Sequence, residues 1–138
     1  MRRAVVAAAL LALAACAPQP SPVAAAVCAA PLKPALQVDL YFGRETAQGR
    51  EVSEAEWASF LNEEVTPRFP DGLSVLDVAG QAREPTGRIA RERTKLLVVV
   101  VFDAPAHQPK VQAIVDAYSR RYGQHGVFRV EHPVCAGV

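Results

Sequence analysis

The chain has 138 residues, 51% of them hydrophobic, and a formal net charge of +1. Near neutrality removes the global pull that draws basic proteins to nucleic acid or anionic membranes, so no nucleic-acid partner is expected. The length beyond the N-terminal segment is enough for one hydrophobic core and one domain.

Met1-Arg2-Arg3 is a short positive start, and Ala4 to Ala15 is an apolar run closing on Leu13-Ala14-Ala15-Cys16. A charged start, a short apolar stretch and small residues before the cut describe a secretory signal rather than a transmembrane helix. A cysteine at the junction has the form of a lipobox. The expected division is a lipoprotein signal peptide over 1–15, a lipidated Cys16 with a Pro/Ala-rich tether over 16–34, and one domain over 35–138. Pro18, Pro20, Pro22, Pro31 and Pro34 make the tether an extended spacer. Ala17, rather than an aspartate, follows Cys16, which favours the outer membrane facing the periplasm in a Gram-negative cell. Loss of Arg2 and Arg3 leaves thirteen basic residues against fourteen acidic ones. Of the three cysteines, Cys28 and Cys135 remain after the anchor, an even pair that reads as a disulfide in an exported compartment. The pattern has no Cys-x-x-Cys, so a redox motif has little support.

The domain begins with Leu36, Val38, Leu40 and Phe42 alternating with Gln37, Asp39 and Tyr41, a strand with one buried face, ended by Gly43. Ser53-Glu54-Ala55-Glu56 forms a capping box, with Val52 and Trp57 at the staple positions. Trp57, Phe60, Leu61 and Val65 then fall on one helical stripe that Pro67 stops. Arg68-Phe69-Pro70-Asp71-Gly72 is a turn and Leu73–Val78 a second strand. The Glu84–Gly87 turn leads into a third strand from about Ile89 to Phe102. Its second half is apolar without alternation, as in a central strand covered on both faces. Pro109 opens a second helix with Val111, Ile114, Val115, Tyr118 and Tyr122 on its apolar face and Gly123 as C-cap. Val127 to Glu131 is a fourth strand.

Strand, helix, strand, strand, helix, strand is the order of the ferredoxin-like α/β plait. The expected fold is α+β: a four-stranded antiparallel sheet, order 4-1-3-2, with two helices on one face. That topology sets the start of the first strand beside the end of the fourth, and so Cys28 near Cys135. It also leaves one sheet face bare. Alternation assigns Gln37, Asp39 and Tyr41 to that face, with Arg129 and Glu131 as candidates from the fourth strand. A homodimer through the bare face is expected.

Chemical motifs are sparse. His107, His125 and His132 lack metal-ligand spacing, so neither a metal nor another cofactor is expected. Asp39, Tyr41, Arg129 and Glu131 could line an open-face pocket, offering an acid or base and a phenol; a cross-strand pair such as Asp39 with Arg129 is the plainer reading. Arg91, Arg93 and Lys95 share one face of the third strand and could hold an anion, but interleaved Glu45, Glu51, Glu84 and Glu92 make a charge-balanced hairpin the favoured reading. Arg68 and Asp71 would brace their turn by pairing.

Leu40-Tyr41-Phe42-Gly43-Arg44, Val52-Ser53 with Glu56-Trp57 and Phe60-Leu61, Val65-Thr66-Pro67-Arg68-Phe69-Pro70-Asp71-Gly72-Leu73, Gly80-Gln81, and Arg91-Glu92 with Lys95 resemble the bacterial domain of unknown function 3574, often found as small lipoproteins. The resemblance covers about residues 36–135 and supplies no activity. It singles out Arg44, Trp57, Arg68, Asp71 and Gln81 as candidate functional residues. The expectation for function is a lipid-anchored envelope protein acting as a non-catalytic binding or accessory module; the alternative is a small cofactor-free enzyme, a monooxygenase-like dimeric plait with its pocket on the open face.

Overall fold

A computed structural model describes residues 27–124 and 126–138. The stretch expected as a signal peptide, Cys16, most of the expected tether and His125 lie outside the described residues. Six elements follow in order: β1 (Lys33–Gly43), α1 (Glu54–Phe60), β2 (Ser74–Arg83), β3 (Ile89–Val101), α2 (Gln108–Tyr122) and β4 (Phe128–Ala136). The sheet is antiparallel with order β2-β3-β1-β4, so the fold is the expected ferredoxin-like plait. Among the described residues no helix is long and apolar enough to cross a membrane.

The core forms where β1 and β3 present their inner faces to the helices. Val38 faces Val99 and Leu40 faces Leu97 across the ladder, and all four are fully or nearly fully buried. Phe42 is the hub of an aromatic cluster, with ring centroids 5.2 Å from Trp57, 5.9 Å from Phe60 and 4.8 Å from Tyr118. Tilted and edge-on rings of this kind gain about 0.5–1.5 kcal/mol per pair beyond their burial. The Tyr118 hydroxyl donates to the Gly43 carbonyl at 2.8 Å, and Tyr122 donates to Glu56 at 3.0 Å. Burial pushes the Tyr118 phenol well above its usual value, so it stays a neutral donor.

Local signals set the helices. The Ser53 hydroxyl accepts from the Glu56 amide at 3.2 Å, while the Glu56 carboxylate accepts from the Ser53 amide at 2.9 Å. Arg50 adds a bidentate pair to Glu56 at 2.8 and 2.9 Å. After Phe60 the helix widens: Leu61–Val65 is a π-helical turn whose Thr66 amide bonds to the Leu61 carbonyl at 2.8 Å. Pro67 has no amide to continue an α-helical ladder, and Arg68 takes the Glu64 carbonyl at 2.5 Å. Gly123 ends α2 in the left-handed region (φ 67°), where a Cβ would lie 2.8 Å from that of Ala47.

Two boundaries move. β1 starts at Lys33, inside the stretch expected as tether, and β4 runs to Ala136 rather than stopping near Glu131. Pro133 is tolerated because β4 is an edge strand. The longer pairing sets Pro34 opposite Cys135, and Cys28 reaches Cys135 with Cα atoms 5.6 Å apart and sulfurs at 2.02 Å.

Three outcomes are expected. Phe42→Ala should cost about 3–5 kcal/mol of unfolding free energy in urea, the range for a buried phenylalanine. Cys28→Ser should cost about 2–5 kcal/mol, since the bond closes a loop spanning 107 residues. Acid should loosen the α1 cap: chiefly through Arg50, and then Ser53, the Glu56 carboxyl is held down from 4.5 to about 2. A carboxyl depressed in the folded state stabilises the fold above its ordinary pKa, and that contribution fades as pH falls toward about 2. Thermal midpoints measured across that window should fall more steeply for the wild type than for Glu56→Gln.

Candidate functional site

Charged side chains gather where β1 ends and α1 begins. Arg44, 3% exposed, sends Nε and Nη2 to the Val52 carbonyl at 2.9 and 2.5 Å. Its Nη1 lies 2.6 Å from Glu54 and 3.2 Å from Glu51. Glu51 also meets Arg93 at 3.1 Å, and Glu54 also meets Lys95 at 2.8 Å. Lys95, likewise 3% exposed, reaches Asp77 at 2.5 Å. The result alternates in sign from Arg93 through Glu51, Arg44, Glu54 and Lys95 to Asp77. Burial alone would lower Lys95, but its hydrogen bonds to Asp77 and Glu54 raise it, and the Lys95 contact in turn lowers both acids. Three cations and three carboxylates cancel, so the chain of charges clamps β1, β2, β3 and the start of α1 and leaves no charge for a ligand.

The second polar cluster corrects an expectation. Arg129 and Glu131 are opposite Leu40 and Val38 in the register, which places them on the helix-covered side and not on the open face with Asp39 and Tyr41. There the Glu131 carboxylate accepts from Arg129 Nε at 2.8 Å and lies 3.1 Å from His107 Nε2, while Arg129 also donates to Gln108 at 2.9 Å. Burial raises Glu131, yet Arg129 and His107 together hold it below its usual value. His107 is 1% exposed, and among the described residues its Nδ1 has no hydrogen-bond partner. The start of α2 is polar at this edge, so β4 turns its polar side in and its apolar side out. An Asp39–Arg129 pair is therefore impossible. Asp39 instead accepts from Gln37 at 2.9 Å and lies 3.6 Å from His132.

The five family-derived candidates do not share one pocket. Arg44 belongs to the charge chain. Trp57 is in the aromatic core, its indole nitrogen without a hydrogen-bond partner among the described residues. Gln81 is exposed on the β2–β3 hairpin, opposite Arg91. Arg68 and Asp71 line a groove of about 1090 Å³ at the sheet end where β1 and β2 begin. They do not pair within their turn: Arg68 reaches back to Glu64 at 3.0 Å. Phe69, Pro70, Leu73, Val98, Val100 and Phe102 give this groove an apolar lining, and Lys33 and Lys110 stand among its polar residues. Lys110 is committed to Asp103 at 3.1 Å and lies over the Phe69 ring.

The expected anion site on β3 is consumed in the same manner. Arg91, Arg93 and Lys95 do share a side, but Arg93 and Lys95 are tied to carboxylates, and Arg88 pairs with Glu84 at 2.7 Å. Among the described residues no group of three or more His, Cys, Asp or Glu side chains could hold a metal. Sequence periodicity missed the apolar row that the register assembles on the bare face. Leu76 is opposite Leu96, Leu96 opposite Tyr41, and Tyr41 opposite Phe128. Tyr41 and Phe128 stack with centroids 5.7 Å apart.

Solved structures share this architecture at low sequence identity. A phage SAM lyase in complex with S-methyl-5'-thioadenosine matches with a TM-score of 0.56 and 11% identity, covering 74% of this chain and 90% of that one. The apo lyase matches with a TM-score of 0.54 and 12% identity, covering 74% and 84%. CutA from Synechococcus elongatus PCC7942 matches at 0.47 and 11%, covering 74% and 78%. At such identities the lyase likeness is one of fold. No curated protein matches the sequence. The model of a family described as protein of unknown function (DUF3574) matches residues 37–137, and the chain belongs to that family.

Proposed function

We propose that this chain is a lipid-anchored protein of the cell envelope whose domain works by binding rather than by catalysis. One observation carries the second half. The groove is a large concavity with a mainly apolar lining, the buried charges of the domain are committed to the charge chain and to the Arg129–Glu131–His107 cluster, and at the groove itself Arg68 is paired with Glu64 and Lys110 with Asp103. A catalytic site gathers unspent titratable groups at a cavity; this groove gathers Phe69, Pro70, Leu73, Val98, Val100 and Phe102. Separation of Asp39 and Tyr41 from Arg129 and Glu131 by the thickness of the sheet speaks against the alternative, an enzyme pocket on the open face. The lyase neighbours acquire no weight for substrate here, because their likeness is of fold alone.

Lipid anchoring rests on Leu13-Ala14-Ala15-Cys16. Pro31 and Lys33 also line the groove, so the chain enters the domain beside it. On this reading the groove is held near the membrane surface from which the tether rises.

The anchor and the groove are tested together in cells. Wild type should take up a palmitate analogue and fractionate with membranes, and Cys16→Ala should do neither. A photo-crosslinking residue at position 102, in the groove, should give adducts only in the anchored chain, whereas one at exposed position 116 on α2 should give none. Labelled Cys16→Ala would remove the anchor, and a silent position 102 would remove the groove.

A further inference from the structure

The bare sheet face is more apolar than one side of a soluble domain requires. We infer that it is covered by a second copy of this chain, in a two-fold dimer centred on the row Leu76–Leu96–Tyr41–Phe128. This goes beyond the binding role, and the two surfaces meet at Ser74, Val98 and Val100, which line the groove and continue the apolar face.

The row crosses all four strands. Its ends are the most open: Phe128 is 70% exposed and Leu76 48%. The next row is Ser74, Val98, Asp39 and Val130, and Val100 continues the apolar surface beyond it. Contiguous apolar surface of this kind marks an interaction site. β4 sharpens the argument. It points Arg129 and Glu131 inward and leaves Phe128 and Val130 outside, an arrangement that a covered outer face stabilises and a wet one does not.

Three features select a second copy as the occupant. First, the rows built on Gln37, Asp39, Tyr41 and Gly43 of β1, the even-numbered positions of β2 and β3, and Phe128, Val130 and His132 of β4 carry no lysine or arginine; the one cation on this side is Lys33, at the very start of β1. An anionic lipid surface would find a single cation, at the end of the sheet, and none across the apolar row. Second, its acids are satisfied within one chain. Asp39 holds Gln37 and approaches His132, and Glu92 lies over Gly43, where a Cβ would clash at 2.4 Å, and accepts from the Glu45 amide. Burial then leaves no charge seeking a partner. Third, the row is self-complementary. A two-fold axis along the strands, between β3 and β1, sets Leu76 against Phe128 and Leu96 against Tyr41 of the other copy, as an isologous interface requires. Four strands at about 4.8 Å and roughly eight residues at about 3.3 Å give a footprint on the order of 500 Å² before side-chain relief. That is the scale of a standard interface, about 800 Å² of accessible surface per partner.

The test uses the full chain in its envelope. Two differently tagged copies, co-expressed and extracted in mild detergent, should co-purify. A photo-crosslinking residue at position 128 should give an adduct carrying both tags, and one at position 116, on the helix layer, should not. Tyr41→Arg should weaken association roughly 100-fold. Phe128→Asp, at a position already exposed in the single chain, should do the same with an unchanged melting profile of the domain, which separates lost pairing from lost folding. Failure of the wild-type copies to co-purify, a position-128 adduct with a different protein, or unchanged association of both variants would each overturn the dimer. Because position 102 lies in the same groove as Val98 and Val100, the tags on its adduct separate the readings: both tags report the second copy, a single tag reports a groove ligand.

Discussion

A four-stranded sheet has two faces, and the described residues supply helices for one. That constraint organises the rest of the molecule. On the covered side Val38, Leu40 and Phe42 of β1 meet Leu97 and Val99 of β3, and the aromatic rings of both helices close over Phe42. Everything polar that the helix layer needs is drawn to that side. Arg44 and Lys95 are buried there as members of a neutral chain of charges, and Arg129 and Glu131 are half-buried there beside His107. Isolated, any of these ions would oppose folding; paired and hydrogen-bonded, they fix which strand lies next to which.

The same constraint explains why the five candidate residues of the family resemblance do not form a site. Arg44 and Trp57 brace the junction of β1 and α1, a place where the chain must turn sharply and still bury a guanidinium. Arg68 and Asp71 shape the mouth of the groove after Pro67 has ended the helix. Gln81 is carried on a hairpin that extends beyond the helix layer. Their roles are read from what each side chain touches: a backbone carbonyl and two acids for Arg44, the preceding helical turn for Arg68. Arg44 and Trp57 are therefore architectural, Gln81 is exposed on its hairpin, and Arg68 and Asp71 line the groove.

Much of this was legible in the sequence because the signals were local. A capping box needs only Ser53 and Glu56 three residues apart. The stripe of Trp57, Phe60, Leu61 and Val65, and that of Val111, Ile114, Tyr118 and Tyr122, need only helical spacing. The order of elements limited the topology to few choices, and the plait brought Cys28 to Cys135 as a consequence of antiparallel neighbours. The chain's membership of a family was carried by short stretches spread over nearly the whole domain.

What the sequence could not determine is which way an edge strand faces. Phe128-Arg129-Val130-Glu131 alternates cleanly, but alternation says only that the two sets are on opposite sides. A shift of one residue in register exchanges them. The choice was made by tertiary contacts: Pro34 opposite Cys135 sets the register from one end, and His107 with Gln108 supplies polar partners beneath the strand. For the same reason Lys95 could not be recognised as a buried residue, since its partners Glu54 and Asp77 are 41 and 18 positions away and meet only across the fold. The sequence by itself determined elements, order and family, which depend on neighbours along the chain. The tertiary structure alone decided parity, the neutral chain of charges and the apolar row, because each depends on residues distant in sequence being opposite one another in space.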